Sequence, residues 1–334
     1  MIPTFIGITA LVFTILQIVP GGPFEQELLR FKMAAMESSE GGGGGGSATG
    51  TIEIPEEALK KLKEYYGLDK PAYMRYLIWL KKIIQLDLGK SYKYSEPVWT
   101  LIKDRIHISA YFGIISFLLS YLICIPLGIF KAIKHGSVFD KVSSAIVFAG
   151  YSIPGFILGA VLLVYFGGGS FWNVFPLGEF RSEDYEYFTF WGKVQDQIHH
   201  TILPAMAYMV SAFASLTVLM KNSLLENLSQ DYVRTAFAKG LSEKRVIFFH
   251  AVRNSLIPLA TGIGSLLGIW LAGSYLIERV FNIDGIGMLG YTSILSRDYP
   301  VTLGFLVVAT IIKLLGNLLS DICYAAIDPR IRFK

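Results

Sequence analysis

The sequence predicts an all-α polytopic membrane protein, and three observations carry that expectation. Of its 334 residues 53% are hydrophobic and only 17% charged, with a mean hydropathy of +0.49. An ordinary soluble domain of this length is far less apolar. The apolar residues gather into six stretches near the roughly 20 residues a helix needs to cross a bilayer. Basic residues are also unevenly shared among the short connecting loops, as they are in proteins with a fixed membrane orientation. The spans must be helices, because a lone strand would leave its amide groups unpaired in lipid.

The six expected spans are residues 2–19, 106–130, 142–166, 201–220, 255–277 and 300–326. Met1-Ile-Pro-Thr runs straight into the first, with no basic stretch ahead of it. That segment therefore reads as a retained span (residues 1–20), not a cleaved signal peptide. Residues 21–105 are expected to form a long extracytoplasmic loop. It contains glycine at every position of 41–46, a run that cannot recover its backbone entropy on folding and is expected to be a tether. A helical pattern over 55–66 follows, stopped by Gly67. Next, Tyr73, Tyr76, Leu77, Leu80, Ile83 and Ile84 recur at helical spacing beside Trp79, with Arg75, Lys81 and Lys82 on the other side. This is an amphipathic helix, either lying on the membrane surface or closing as a lid on its own core.

Orientation follows from the short loops. Lys131, Lys134 and Lys141, then Lys221, Arg234, Lys239, Lys244, Arg245 and Arg253, and finally Arg330, Arg332 and Lys334 fall on one side. Only Arg181, Lys193, Arg279 and Arg297 occupy the opposite short loops. Both termini and the loop 230–254 are expected in the cytoplasm. The net charge of +4 is what such basic loops produce, so no nucleic-acid partner is inferred. Cys124 and Cys323 lie in spans and read as small apolar side chains. Neighbouring His199 and His200 would not face one another on a helix, so no metal site is expected.

The loop 167–200 mixes Glu179, Glu183, Asp184, Glu186 and Asp196 with Phe171, Trp172, Phe175, Phe180, Tyr185, Tyr187 and Trp191. These aromatics are interfacial belt residues or a rim facing a soluble partner. Within the spans, Gly155-x3-Gly159 and Gly264-x3-Gly268 suit close helix contact. Pro154 and Pro258 are positioned to bend or begin helices.

The basic loop 230–254 is the most informative segment. Asp231 is placed to cap a helix of about two turns over 233–239, and Gly240 sits where a left-handed stop is needed. Ser242 and Glu243 would cap a second helix running to Arg253. The expected product is a helix–turn–helix in water with Phe237 exposed near its tip, beside Ala236 and Ala238. By itself it is equally a docking knob or a solvated loop.

A resemblance then extends over almost the whole chain. Thr235-Ala236-x3-Gly240 followed by Leu256-Ile257-Pro258 resembles the EAA loop of permease subunits in binding-protein-dependent ABC importers. It is joined by Val19-Pro20-Gly21-Gly22-Pro23, Tyr66-Gly67-Leu68-Asp69-Lys70-Pro71, Leu86-Asp87-Leu88-Gly89-Lys90-Ser91 and Pro97-Val98. Later come His250-Ala-x-Arg253-Asn254-Ser255, Glu278-Arg-Val-Phe281-Asn-Ile-Asp-Gly285-Ile-Gly287 and Arg297-Asp298-Tyr299-Pro300. Asn317-x3-Asp321 and Tyr324-x3-Asp328-Pro329-Arg330-Ile331 close the series. In this order they are similar to the dipeptide/oligopeptide permease family, its first transmembrane subunit. Within it, the resemblance is closest to the branch associated with microcin C and oligopeptide uptake. The chain differs in lacking a short basic segment before the first span and in carrying Arg234 where the loop usually has Glu.

The resemblance implies a type I ABC importer (MetI-like) bundle, with 106–334 as a five-helix permease core. It implies a transmembrane permease subunit of an ATP-driven, binding-protein-dependent peptide importer in the cell membrane. A second homologous permease subunit, two ABC ATPase subunits and an extracytoplasmic peptide-binding protein would be its partners, with the lipid bilayer around it. Arg234, Thr235, Ala236, Phe237, Ala238 and Gly240 would form the contact with the ATPase. Ser274, Tyr275, Lys313 and Asn317 are the candidates for lining the substrate path. ATP and Mg would be bound by the partner ATPases, and this chain is expected to hold no cofactor and no metal. Gly89-Lys90-Ser91 copies the end of a phosphate-binding loop, but the position of its first glycine is Ile84. The competing class is an ion-coupled secondary transporter or a channel subunit. Ion-coupled carriers place ionisable residues near the bilayer midplane; the first five expected spans hold none, and the sixth has Lys313.

Overall fold

The computed structural model describes residues 1–18, 69–168, 171–261 and 273–327, with a few single positions among the rest. The glycine tether, most of the 55–66 segment, the Gly264–Gly268 pair and the motif beginning at Asp328 lie outside the described residues. The described chain is helical, with two isolated β-bridges, Lys90 to Pro97 and Gly167 to Phe175, and no strand.

In order the helices are α1 (Ile2–Ile18), α2 (Ala72–Ile84), α3 (Val98–Ile133), α4 (Val138–Tyr151) and α5 (Gly155–Phe166). They continue with α6 (Phe190–Leu228), α7 (Asp231–Ala238), α8 (Glu243–Arg245), a π-helical turn (Val246–Ala251), α9 (Val252–Ser255) and α10 (Ile257–Thr261). The last are α11 (Tyr275–Val280), α12 (Ile286–Leu295) and α13 (Tyr299–Ile327). Three of them, α3, α6 and α13, are long and apolar enough to cross a membrane; α4 and α5 make a fourth if taken as one broken span. The span expected at 142–166 is therefore not straight: its halves meet at 97°. Pro154 is the cause. It has no N–H to give the preceding turn and sits just outside α5 with extended backbone, opening a new helix. Pro258 likewise lies in the first turn of α10.

The chain divides into two units, 1–103 with 290–308, and 104–289 with 309–334. In the first, α2 turns Tyr76 and Trp79 towards α1: their rings lie 5.4 and 6.2 Å from Phe13, and the Tyr76 hydroxyl is 3.0 Å from that of Thr9. No residue of α2 is buried, and Tyr73, Leu77 and Ile84 stay exposed. Asp298, also in this unit, accepts hydrogen bonds from the Ser91 hydroxyl and from the backbone N–H groups of Tyr92 and Lys93.

The second unit holds two apolar clusters. One joins Phe112 and Phe117 of α3, Leu203 and Tyr208 of α6 and Ile277 and Phe281 around α11. Its helices approach closely at glycine: a Cβ on Gly155 would lie 2.3 Å from the Ala207 carbonyl oxygen, and one on Gly159 2.9 Å from the Phe281 ring. The other cluster gathers Ile129 and Ala132 of α3, Met220 and Leu224 of α6, and the inner faces of α7, the π turn and α9. Gly128 is its close-approach point, since a Cβ there would meet Met220 Cβ at 2.6 Å.

Candidate coupling site

The loop 230–254 folds as two helical pieces around a tight stop. Gln230, not Asp231, is the residue before α7; Asp231 occupies the first turn, where a carboxylate complements the helix dipole. Tyr232 donates to the Asn227 side chain at 2.7 Å and Thr235 to the Asp231 carbonyl at 2.9 Å, tying α7 to the end of α6 and to itself. At its C-terminus the Leu241 N–H returns to the Ala236 carbonyl (3.3 Å) and the Gly240 N–H to that of Phe237 (2.9 Å). This pair is a Schellman motif, and it needs the left-handed residue that Gly240 supplies at φ +77°. Nothing lies within 4 Å of a Cβ placed on Gly240, so backbone conformation alone demands the glycine.

Two turns suffice to make α7 two-sided. Val233 and Ala236 are buried, whereas Arg234, Thr235, Phe237, Ala238 and Lys239 face outward, Phe237 being 45% exposed. Ala236 thus departs from the expectation of an exposed contact: it is buried in the apolar cluster that also holds Met220 and Leu224 of α6 and Ile129 and Ala132 of α3. The Asp231–Arg234 ion pair, at 3.5 Å, is fully at the surface.

The second piece also departs from a plain helix. After one turn at 243–245 the chain widens into the π turn, then returns to α-helix at Val252. Val246, Ile247, Ala251 and Val252 point inward, and Phe248 and Phe249 stay exposed, the latter at 72%. Sequence reasoning missed these two phenylalanines as outward groups, because Val246-Ile-Phe-Phe reads as one apolar run. The extra residue of a π turn rotates such a run, and π turns concentrate at functional positions.

The residues expected along the substrate path divide into pairs. Lys313 and Asn317 lie four residues apart on α13 and are both exposed. Ser274 and Tyr275 start α11, half-buried, and the Ser274 N–H donates to the Tyr208 hydroxyl at 3.1 Å.

A polar centre that the sequence did not announce lies beside them. Glu278, 0% exposed, takes the Ser109 hydroxyl at 2.8 Å and the Met288 N–H at 2.6 Å; the Ile286 N–H donates back to Ser109 at 2.8 Å. Burial pushes the Glu278 carboxyl up from its ordinary range, against the pull of these donors. Cβ atoms on Gly285 and Gly287 would fall 2.5 and 3.1 Å from its carboxyl group, which explains the glycines of the Glu278–Gly287 motif. The signal was an acidic residue followed by two glycines, readable only once the loop is seen to wrap the carboxylate.

Comparison with known proteins decides the family. Residues 124–333 match the binding-protein-dependent transport system inner membrane component. The chain belongs to this family. It is 39% identical to the peptidoglycan transport system permease protein YejB of Agrobacterium fabrum, covering 100% of this chain and 96% of that protein. To the oligopeptide transport system permease protein AppB of Bacillus subtilis it is 34% identical over 99% of this chain and 96% of the relative. The dipeptide transport system permease protein DppB of Escherichia coli K12 also matches at 34%, over 100% and 96%. Among solved structures, an inward-facing MetNI methionine ABC transporter chain superposes with a TM-score of 0.54 at 18% identity, over 70% of this chain and 99% of that one, a likeness of fold. The chain is accordingly a multi-pass membrane permease subunit of an ABC importer, a non-catalytic component that works with ATPase and substrate-binding partners. The ion-coupled carrier and the channel fall away.

Proposed function

We propose that the chain is one of two transmembrane permease subunits of an ATP-driven peptide importer, with α7 as the helix that docks to an ATPase. A second homologous permease, two ATPases and an extracytoplasmic peptide-binding protein complete the complex. The bundle has six spans, α4 and α5 forming the broken third, with both termini and the 230–254 loop in the cytoplasm. Relatives named for oligopeptide and dipeptide transport support peptide as the substrate class. The observation that carries the docking reading is the two-sided α7: apolar anchors Val233 and Ala236 inside, Phe237 outside, and a glycine stop that fixes both.

Magnitudes favour this arrangement. Moving a two-state bundle from 1:99 to 99:1 takes about 5.5 kcal/mol of differential binding. An exposed pair such as Asp231–Arg234 contributes about 0–1 kcal/mol and cannot transmit that. An apolar knob on a helix that is itself packed into the bundle can. ATP closes the ATPase pair, Arg234, Thr235, Phe237, Ala238 and Gly240 are carried with it, and the Ala236 anchor passes the displacement to α3 and α6. Lys313, Asn317, Ser274 and Tyr275 line the path, the exposed α13 pair facing the second permease.

The test is peptide uptake and ATPase copurification in the complex. F237D and G240V abolish uptake and lose the ATPase while the chain stays in the membrane at normal abundance. Normal uptake in both variants overturns the docking reading.

A further inference from the structure

Next to the α7 anchor lies a buried ionic centre that the docking reading does not use. Asp140, in the first turn of α4, is 4% exposed, and Lys131, near the end of α3, is 1% exposed. Lys131 Nζ is 3.3 Å from Asp140 Oδ1 and donates to the Asp140 carbonyl oxygen (3.0 Å) and to the Ser143 and Ser144 hydroxyls (2.8 and 2.7 Å). Lys221 of α6 places Nζ 2.8 Å from both carboxylate oxygens. The Gly136 N–H donates to Oδ2 at 3.1 Å, and the exposed His135 ring comes within 3.4 Å of the same atom. One carboxylate therefore joins three helices.

Its position gives it a use. Lys131 immediately precedes Ala132, and Lys221 immediately follows Met220; Ala132 and Met220 belong to the apolar cluster that seats Val233 and Ala236. At Gly128 the α3 and α6 backbones are already as close as side chains permit. Apolar packing is non-directional and lets helices slide, whereas a carboxylate held by two ammonium groups fixes both distance and direction. Stability alone does not call for such a centre, since well-packed apolar residues commonly serve as well as buried ion pairs.

We propose that Asp140 is a positioning residue that straps the ends of α3, α4 and α6 into one body, so that displacement of α7 moves the bundle instead of being absorbed at its base. This rests on the reading of α7 as the ATPase contact. The broken third span is thereby coupled to the same push, since Asp140, Ser143 and Ser144 tie the start of α4 to Lys131 of α3 and Lys221 of α6.

K221M is the decisive variant: it cuts the α4–α6 link and leaves the Lys131–Asp140 pair neutral and buried. In the complete complex in proteoliposomes, with its binding protein, ATP hydrolysis and peptide uptake are measured together. K221M and D140N keep the ATPases bound and hydrolysing, but the ATP consumed per peptide rises about tenfold, within the usual span of coupling between sites. D140E stays near wild type. The proposal is overturned if the ratio is unchanged in K221M, whether uptake is normal or falls only with the amount of assembled complex. A failed docking reading looks different, because there F237D leaves the ATPases bound.

Discussion

Gly240 and Glu278 show how single residues constrain this protein in opposite ways. Around Gly240 there is space but no freedom of φ, so the left-handed backbone is the whole requirement. Asn tolerates that region and Val does not. G240N therefore retains uptake within about twofold of wild type, while G240V loses it; a penalty of about 1–2 kcal/mol for the left-handed conformation is the cause. Around Glu278 there is no space at all. E278A takes the acceptor from the buried Ser109 hydroxyl, at about 1–3 kcal/mol. Its melting temperature in detergent falls clearly below wild type, and G285A falls with it because its methyl group would meet the Glu278 carboxyl. Gly240 was legible as a stop signal in the sequence. The Glu278 cage was not, because its donors come from residues 109 and 286–288 brought together only by folding.

At the scale of elements, hydropathy located the spans but not their true lengths. The expected 106–130 and 201–220 become helices of 36 and 39 residues, since their polar ends continue the helix beyond the apolar core. The third span breaks where Pro154 forbids continuation, and α5 then lies against α6 through Gly155 and Gly159. Filling Gly155 should separate them. G155L costs about 1–3 kcal/mol by overpacking, read as a lower melting temperature of the purified chain, while the same change at Gly136, where nothing lies within 4 Å of the Cβ position, perturbs the turn and not the packing. Within 230–254, the glycine stop and the start of the second piece after Ser242 were readable, but the Asp231 cap and an unbroken helix to Arg253 were not what formed. The sidedness of α7 was not readable: Ala236 and Ala238 are chemically identical, and only the neighbouring helices decide that the first is anchor and the second surface.

For the molecule as a whole, the prediction is compositional. Purified in mild detergent from cells carrying its partners, wild-type chain brings down an ATPase, and F237D does not; equal recovery in both would remove α7 from the interface. What the sequence by itself determined is the helical class, residence in a membrane, the absence of a complete nucleotide loop, and the place and stop of α7. All of these are encoded in runs and spacings of neighbouring residues. What only the tertiary structure decided is the inward turn of Ala236, the 97° break, the Glu278 cage and the Asp140 strap. The reason is reach: Asp140 and Lys221 are 81 residues apart in the chain yet 2.8 Å apart in space, and no local periodicity carries a contact of that separation.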